Sequence, residues 1–336
     1  MVSVKKKIKF GILGCGMIAG VHADAISRIE NAELVGVADS NYDFAINFAK
    51  KLNVKAFNGY EDMLSSDIDA VCICTPSCFH AQNAIYALDS GKHVVVEKPM
   101  ALSSKDADLV IEKAKEKNRL VTVISQLRFS DDIVNVKKHI ENGDFGTITL
   151  AELDMKYYRS PEYYSSSPWK GTLKFDGGGA LMNQGIHGVD LLQYVMGGVK
   201  KVVGATKTLV HNVEVEDTAV AIVEFNNGAL GTIVASSCAY PGFERKIKIQ
   251  GSKGYVILSE NKIEKIMIDG VESENIGGDK SVTSHDASKL SSDYHYLQLK
   301  NFLCAINNEE KLFIDATEGK KAVEIIEKIY IKNALM

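Results

Sequence analysis

From residue 8 to residue 126 the chain alternates short apolar, β-branched runs with segments whose apolar side chains recur every three or four positions. That rhythm predicts parallel strands covered by helices. Strands are expected over 8–13, 33–38, 70–74, 93–96 and 120–124. Between them, one helix presents Ile18, Val21, Ala25 and Ile29 to the sheet. A second presents Phe44, Phe48 and Leu52, and a third presents Ala81, Ala84, Ile85 and Leu88 before stopping at Gly91. Ser103 followed by Asp106 reads as a capping box for a helix running to about Asn118.

Beyond residue 126 the period changes. One more amphipathic helix places Ile133, Val136 and Ile140 inward and ends at Gly143 and Gly146. Residues 147–158 then alternate strictly, with Ala151, Leu153, Met155 and Tyr157 on one side and Glu152, Asp154 and Lys156 on the other, as in a half-exposed antiparallel strand. Asn227-Gly228 and Asp269-Gly270 lie at hairpin turns. One long helix is expected over 176–196, and two more over 294–306 and 317–334. The polar stretch 277–292 has neither period and reads as a mobile loop. Two domains follow, 1–126 and 127–336, the second an α+β domain with a large, mostly antiparallel sheet.

Composition narrows the function more than the fold. Of the 336 residues 46% are hydrophobic and 24% charged, an ordinary globular balance. A net charge of −4 with scattered Lys and Arg offers no stripe for a nucleic-acid backbone. The one basic run, Lys5-Lys6-Lys7, reads as a solvated strand entrance. No run of about 18 apolar residues and no signal-peptide core occur, so no membrane partner is expected and a cytoplasmic location is. Six cysteines are present; Cys72, Cys74 and Cys78 cluster, but no second pair completes a zinc pattern. Cys72 and Cys74 read as buried thiols in a strand, and neither metal nor disulfide is expected.

The first strand runs into Gly14-Cys15-Gly16-Met17-Ile18-Ala19, a G-x-G-x-x-A fingerprint with a strand before it and a helix after it. Gly14 permits the tight turn. Gly16, with Met17 and Ile18 opening the helix, lets backbone amides approach a pyrophosphate where the helix dipole favours anions. Asp39, at the end of the second strand, is placed to accept from ribose hydroxyls and to repel a 2′-phosphate; neither Ser40 nor Asn41 supplies a compensating positive charge. NAD is therefore expected in preference to NADP.

Two further stretches carry chemistry. Glu97-Lys98-Pro99 leaves the carboxyl end of a parallel strand, the edge at which such sheets bind ligands. Gly177-Gly178-Gly179 precedes a helix in which Asn183 and His187, four apart, share a face. The glycines suggest that something approaches the backbone closely. Tyr157, Tyr158, Arg159, Trp169 and Lys170 form a polar and aromatic cluster suited either to sugar contacts or to an interface. Arg128 and Tyr240 are weaker candidates for the substrate cleft. So are His285 and His295, for which surface placement is the default.

Taken together, the glycine fingerprint, Thr75-Pro76 with His80, Gly91-Lys92-His93 through Glu97-Lys98-Pro99, the helix carrying His187 and Asp190, and the segments Ala305-Ile306 and Ile329-Tyr330 resemble the Gfo/Idh/MocA family. This is the family of glucose-fructose oxidoreductase and inositol dehydrogenase, and the resemblance spans nearly the whole chain. It implies a Rossmann domain holding NAD through Gly14, Gly16, Met17, Ile18, Asp39, Ser40, Thr75, Pro76, His80, Glu97 and Lys98. The implied second domain handles a small polyhydroxylated substrate, a sugar, sugar nucleotide or inositol, and its open sheet builds a homodimer or homotetramer. Lys98 matches the family's catalytic lysine and His187 its catalytic histidine, which implies oxidation of a secondary alcohol with a base for the hydroxyl proton and a cation beside the oxygen: the imidazole titrates near neutrality and suits the first task, whereas Lys98 serves as the cation or, if burial lowers its pKa, as the base. Asn183 departs from the aspartate many members carry, although members acting on nucleotide-linked sugar acids also have Asn there. Two other readings stand beside the dehydrogenase. One is a catalytically silent NAD-binding sensor, favoured only by Asn183; the other is an enzyme that retains NAD for hydrolysis or transfer, which would need clamping segments that are not evident.

Overall fold

In the computed structural model, which describes residues 7–274 and 291–331, the chain divides into two units. The first contains residues 1–126 and 284–320, and the second residues 127–283 and 321–336.

The first unit is built on a six-stranded parallel sheet of β1 (Ile8–Leu13), β2 (Ala32–Ala38), β3 (Lys55–Ala56), β4 (Ala70–Ile73), β5 (His93–Val96) and β6 (Val121–Val123). The strands lie in the order β3-β2-β1-β4-β5-β6, the doubly wound arrangement that places its ligand crevice at the carboxyl edge. Val71, Cys72 and Ile73, like Val94, Val95 and Val96, are fully buried, because helices on both faces remove every side chain from water and leave no polar alternation. These helices are α1 (Met17–Ser27), α2 (Tyr42–Leu52), α3 (Tyr60–Leu64), α4 (His80–Asp89) and α5 (Ser104–Lys117). The Ser103 hydroxyl accepts from the Asp106 amide, 3.1 Å, and Asn118 closes α5 in the left-handed conformation.

Two helical faces differ from the expected stripes. In α2 the buried residues are Ala45 and Ala49, while Phe44 is 61% exposed; small side chains let the helix sit close to the sheet, and Phe48 and Leu52 flank that contact. In α1, Ala19, His22, Ala23, Ala25 and Ile26 are buried. A mostly apolar helix has no narrow stripe to reveal, so spacing missed the one buried histidine.

The second unit carries an eight-stranded sheet of β7 (Ile148–Lys156), β8 (Val199–Lys207), β9 (Thr218–Phe225), β10 (Leu230–Ser236), β11 (Lys246–Gly251), β12 (Gly254–Ser259), β13 (Lys262–Ile268) and β14 (Val271–Glu274). Its order is β14-β13-β12-β11-β7-β10-β9-β8, with β7 and β10 parallel and every other pair antiparallel. Both hairpins form at Gly228 and at Asp269-Gly270, where positive φ is required. One face buries Ala151, Leu153, Met155, Ala221, Val223, Ile233 and Ile249 in a core that also takes in Leu192, Val323 and Ile326. On the other face Val203, Val220, Ile222 and Leu230 are exposed.

The helices of this unit begin with α6 (Asp131–Asn142), which buries Ile133 and Val136, and continue with the short α7 (Pro161–Ser165) and α8 (Leu173–Asp176). The single helix expected over 176–196 is instead three pieces. Gly177, at φ +70°, ends α8; Ala180–Gly185 is a π-helical turn; and α9 runs Ile186–Met196. The close approach implied by the glycines is internal: a Cβ on Gly178 would stand 2.1 Å from the Tyr330 hydroxyl, and one on Gly179 2.1 Å from the Glu216 carbonyl.

Two helices close the chain, α10 (Asp293–Ile306) and α11 (Ala316–Tyr330). The first packs in the core of the first unit through Leu299, Phe302 and Leu303. Its Gln298 accepts from the Ser125 amide at 3.1 Å and donates to the Val123 carbonyl at 2.7 Å and the Thr122 hydroxyl at 3.0 Å, satisfying groups at edge strand β6. The loop expected over 277–292, His285, Lys5 and Lys6 and the last residues of the expected final helix lie outside the described residues, apart from 291 and 292.

Candidate functional site

Strand register assembles the cofactor half of the site in the first unit. Leu13 pairs with Ala38 and with Ile73, and Ile73 with Val96. The residues that follow, Gly14, Asp39, Cys74 and Glu97, therefore leave the same edge of the sheet. Gly14 donates to the Ala38 carbonyl at 2.8 Å and adopts φ +93°; a Cβ there would meet the Cys74 carbonyl at 2.7 Å, so only glycine fits. Gly16 is different. It caps α1 with no side-chain partner, and a Cβ on it would meet nothing within 4 Å. That open space lies at a helix N-terminus, where backbone amides and the dipole suit a pyrophosphate. Asp39 holds the turn, its two oxygens accepting from the Cys15 amide at 2.8 Å and the Asn41 amide at 2.9 Å. Beside it, burial, Asp39 and Cys74 push the Cys15 thiol up to about 12, so it is no nucleophile at neutral pH.

His80 and Glu97, expected at the cofactor, are buried. The His80 ring spans two loops, Nδ1 to the Pro99 carbonyl and Nε2 to the Thr75 carbonyl, both 2.7 Å. Burial lowers its pKa, and a neutral imidazole donates to only one of the two. Asn83 reaches the Thr75 hydroxyl at 3.2 Å. Glu97 turns one oxygen back to the Lys98 amide, 3.2 Å. These side chains fix the loops that carry Thr75, Pro76 and Lys98 instead of facing solvent.

In the second unit, nearly every residue from Ala180 to Gln193 is buried; Asn183, Gln184 and His187 are half-exposed. A buried carboxylate sets the start of this stretch. Glu216 accepts from the amides of Gly179 at 2.9 Å and Leu181 at 2.8 Å and from the Tyr330 hydroxyl at 2.8 Å. Burial raises its carboxyl above the ordinary range, and those bonds offset this only in part. Asn183 donates to Asp176 at 2.8 Å, which fixes its amide orientation. Gln184 accepts from Arg159 at 2.7 Å and donates to the Tyr163 hydroxyl at 3.0 Å. The Arg159 guanidinium lies 5.4 Å from the Tyr163 ring centroid, and the Lys170 ammonium 4.3 Å from it. Lys170 also donates to Ser166 at 2.9 Å. The structure thus joins Asn183, Gln184, Arg159, Tyr163 and Lys170 through a polar and aromatic surface. Sequence reading missed Gln184 and Tyr163; the first was visible only as a polar residue in a stretch that is otherwise buried.

Other candidates are placed differently. Arg128 is 1% exposed, bound to Asp190 through Nε at 2.8 Å and Nη2 at 2.6 Å, with Tyr194 at 4.6 Å from its guanidinium. It is a core ion pair, and Asp190 was the partner that chain order hid. Tyr157 is buried and forms part of the core. His295 is buried, against the default surface placement. Tyr240 is largely exposed, edge-on to half-buried Tyr158 at 5.2 Å, and Trp169 is half-buried. All six cysteines are thiols, none joined in a disulfide. Among the described residues no helix is long and apolar enough to cross a membrane.

Comparison with known proteins bears on both units. Residues 8–125 match the model of an oxidoreductase family with an NAD-binding Rossmann fold, and residues 133–257 that of the GFO/IDH/MocA C-terminal domain. A myo-inositol 2-dehydrogenase of Thermotoga maritima is 26% identical over 325 residues, 94% of this chain and 93% of its own. An uncharacterized oxidoreductase, YrbE, of Bacillus subtilis is 30% identical over 74% of this chain and 73% of its own. The WlbA dehydrogenase of Bordetella pertussis, solved in complex with NADH and UDP-GlcNAcA, superimposes with a TM-score of 0.86 at 32% identity, covering 97% of this chain and 96% of that one.

Proposed function

Since the chain belongs to the Gfo/Idh/MocA family of oxidoreductases and carries its NAD-binding Rossmann domain, we propose that it is a dehydrogenase or ketoreductase acting on one secondary alcohol of a sugar, sugar nucleotide or inositol. The observation that carries the reading is the half-exposed set Asn183, Gln184 and His187 on an otherwise buried segment. It occurs in a chain whose other unit offers the open cradle at Gly16. Bound NAD supplies the hydride acceptor in the oxidative direction.

In this reading His187 removes the hydroxyl proton, and Lys98 places its ammonium beside the oxygen that gains charge. Asn183 and Gln184 fix the surface around the imidazole through Asp176, Arg159 and Tyr163. Arg159 and Lys170 add cationic character there, and with the UDP-GlcNAcA complex of the WlbA relative this makes a nucleotide-linked sugar acid the first substrate to test. Gly14, Gly16 and Asp39 form the NAD turn, with Met17, Ile18, Ser40, Thr75 and Pro76 around it.

The second part of the proposal is self-association in the cytoplasm through the open face of the eight-stranded sheet. Cross-strand register sets exposed Val203 beside Ile222, and exposed Val220 between Ala205 and Val234, an apolar strip of the kind that marks an interface.

The test is a screen of purified protein with NAD against UDP-sugar acids, aldoses and inositols, following NADH absorbance. Lys98→Ala and His187→Ala should each lower turnover about 10²- to 10⁴-fold with NAD affinity largely kept. Normal turnover by either variant removes that residue from the mechanism. NAD binding without turnover of any substrate favours the silent sensor.

A further inference from the structure

The first unit buries three ionisable side chains together: His22 of α1, Glu97 after β5 and His295 of α10. The His22 Nε2 is 2.9 Å from Glu97 Oε1, the His295 Nε2 is 3.6 Å from the same oxygen, and the two imidazoles meet edge to face at 5.4 Å. The other oxygen, Oε2, accepts from the backbone amide of Lys98 at 3.2 Å. Its titratable neighbours include the Cys72 and Cys74 thiols on the β4 side and, at longer range, His80.

Burial disfavours charge on every member. The His22 bond and the neighbouring His295 imidazole outweigh it at Glu97, whose carboxyl is held well below its ordinary range. At His22 burial is outweighed by Cys74, Cys72 and Glu97, which raise the imidazole above its ordinary value; at His295 burial prevails and lowers it. The 2.9 Å contact ties the His22 imidazole to one oxygen of Glu97. A carboxylate so gripped has no freedom to swing, and its second oxygen fixes the next residue's amide. The 2.9 Å approach of His22 to Glu97 is within hydrogen-bond range.

We propose that His22 is a positioning residue for Lys98: it clamps Glu97, with His295 packed beside the pair, and Glu97 in turn holds the backbone of the residue read above as the catalytic cation. The proposal rests on that reading of Lys98. A side chain carried on a turn is displaced when the turn slackens, and an error of the order of 1 Å at a reacting group costs about 10²-fold. His22 would thus act on turnover from the buried face of α1 without touching substrate or cofactor.

The test uses the full chain with His22→Phe and His22→Gln. Phe fills the space but cannot donate, whereas Gln restores a donor towards Glu97. Two measurements separate this proposal from the reading beneath it. Amide hydrogen exchange of the segment containing Lys98 should rise in His22→Phe and return towards the parent rate in His22→Gln, whether or not a substrate has been found. With a turned-over substrate, kcat should fall about 10- to 100-fold in His22→Phe, with KM and NAD affinity within about threefold, and Gln should rescue most of the loss. Unchanged exchange overturns the clamp. A loss in His22→Phe shared equally by KM, NAD affinity and kcat, with no rescue by Gln, makes the cluster structural only and overturns it too. So does one equivalent of zinc that co-purifies and is lost in His22→Phe. If the parent protein turns over nothing, the function reading fails, and the exchange result still judges the clamp.

Discussion

Replacing Arg128 by methionine separates the two roles open to a buried arginine near a substrate domain. The side chain is bound to Asp190 through two charge-assisted hydrogen bonds of 2.8 and 2.6 Å, with side-chain exposures of 1% and 6%. Arg128→Met keeps much of the aliphatic volume but leaves the Asp190 carboxylate buried without its cation. Removing one partner of such a pair costs about 3–5 kcal/mol, mostly the penalty of the stranded charge. For a unit of this size each kcal/mol moves Tm by about 2–4 °C, so its melting should fall by about 6–20 °C. The double variant Arg128→Met with Asp190→Leu removes both charges and should recover most of that loss. Calorimetry or urea titration reads the stability, and turnover at a temperature where all variants are folded reads the site. If Arg128→Met melts within about 2 °C of the parent while KM rises tenfold, the guanidinium belongs to the substrate and the core ion-pair reasoning is wrong.

Three further outcomes follow from the geometry. Gly14→Ala should destabilise by about 1–3 kcal/mol, since φ +93° and the Cys74 carbonyl at 2.7 Å both oppose a Cβ; Gly16→Ala should leave stability within about 0.5 kcal/mol yet weaken NAD in a binding titration. His93 accepts from the Leu120 amide at 3.0 Å, and burial, then Arg119, lowers its pKa from 6.5 to about 4. A depressed histidine pKa means the unfolded chain takes up the proton first. The stabilisation is complete above about 6.5 and is lost as pH falls towards 4. After allowance for the half-exposed ring it amounts to about 2 kcal/mol, and His93→Gln should flatten that part of a urea-midpoint against pH curve. Tyr330→Phe removes a donor from the buried Glu216 carboxylate and should cost about 1–2 kcal/mol in the same titration, with less effect below the carboxyl's raised pKa.

Five of the six parallel strands, the longer helices and the hairpins were legible because their signals are local: a run such as Val94-Val95-Val96 or a turn at Asn227-Gly228 specifies its own conformation, whereas the two-residue β3 and the five-residue α3 are too short to show a period. The glycine fingerprint was legible too, through its strand and helix context. What escaped depends on partners distant in sequence. Arg128 looked like a ligand for want of Asp190, 62 residues on. The glycines at 178 and 179 suggested an external visitor because Tyr330 and Glu216 are far along the chain. His295 looked like a surface residue because helical spacing cannot say which neighbour a polar side chain meets. The π-helical turn before His187 leaves no compositional mark, so the long periodic run read as one helix.

The return of α10 to the first unit limits how modular the protein is. A gene fragment stopped at residue 126 would encode the whole glycine fingerprint and all six parallel strands, yet its last strand would lose the glutamine that satisfies three polar groups at its border. The apolar wall of Leu299, Phe302 and Leu303 would go with it. A transplantable nucleotide-binding cassette would have to splice both segments together, and recombination between relatives should therefore tolerate exchanges inside 127–283 better than a clean swap at residue 126.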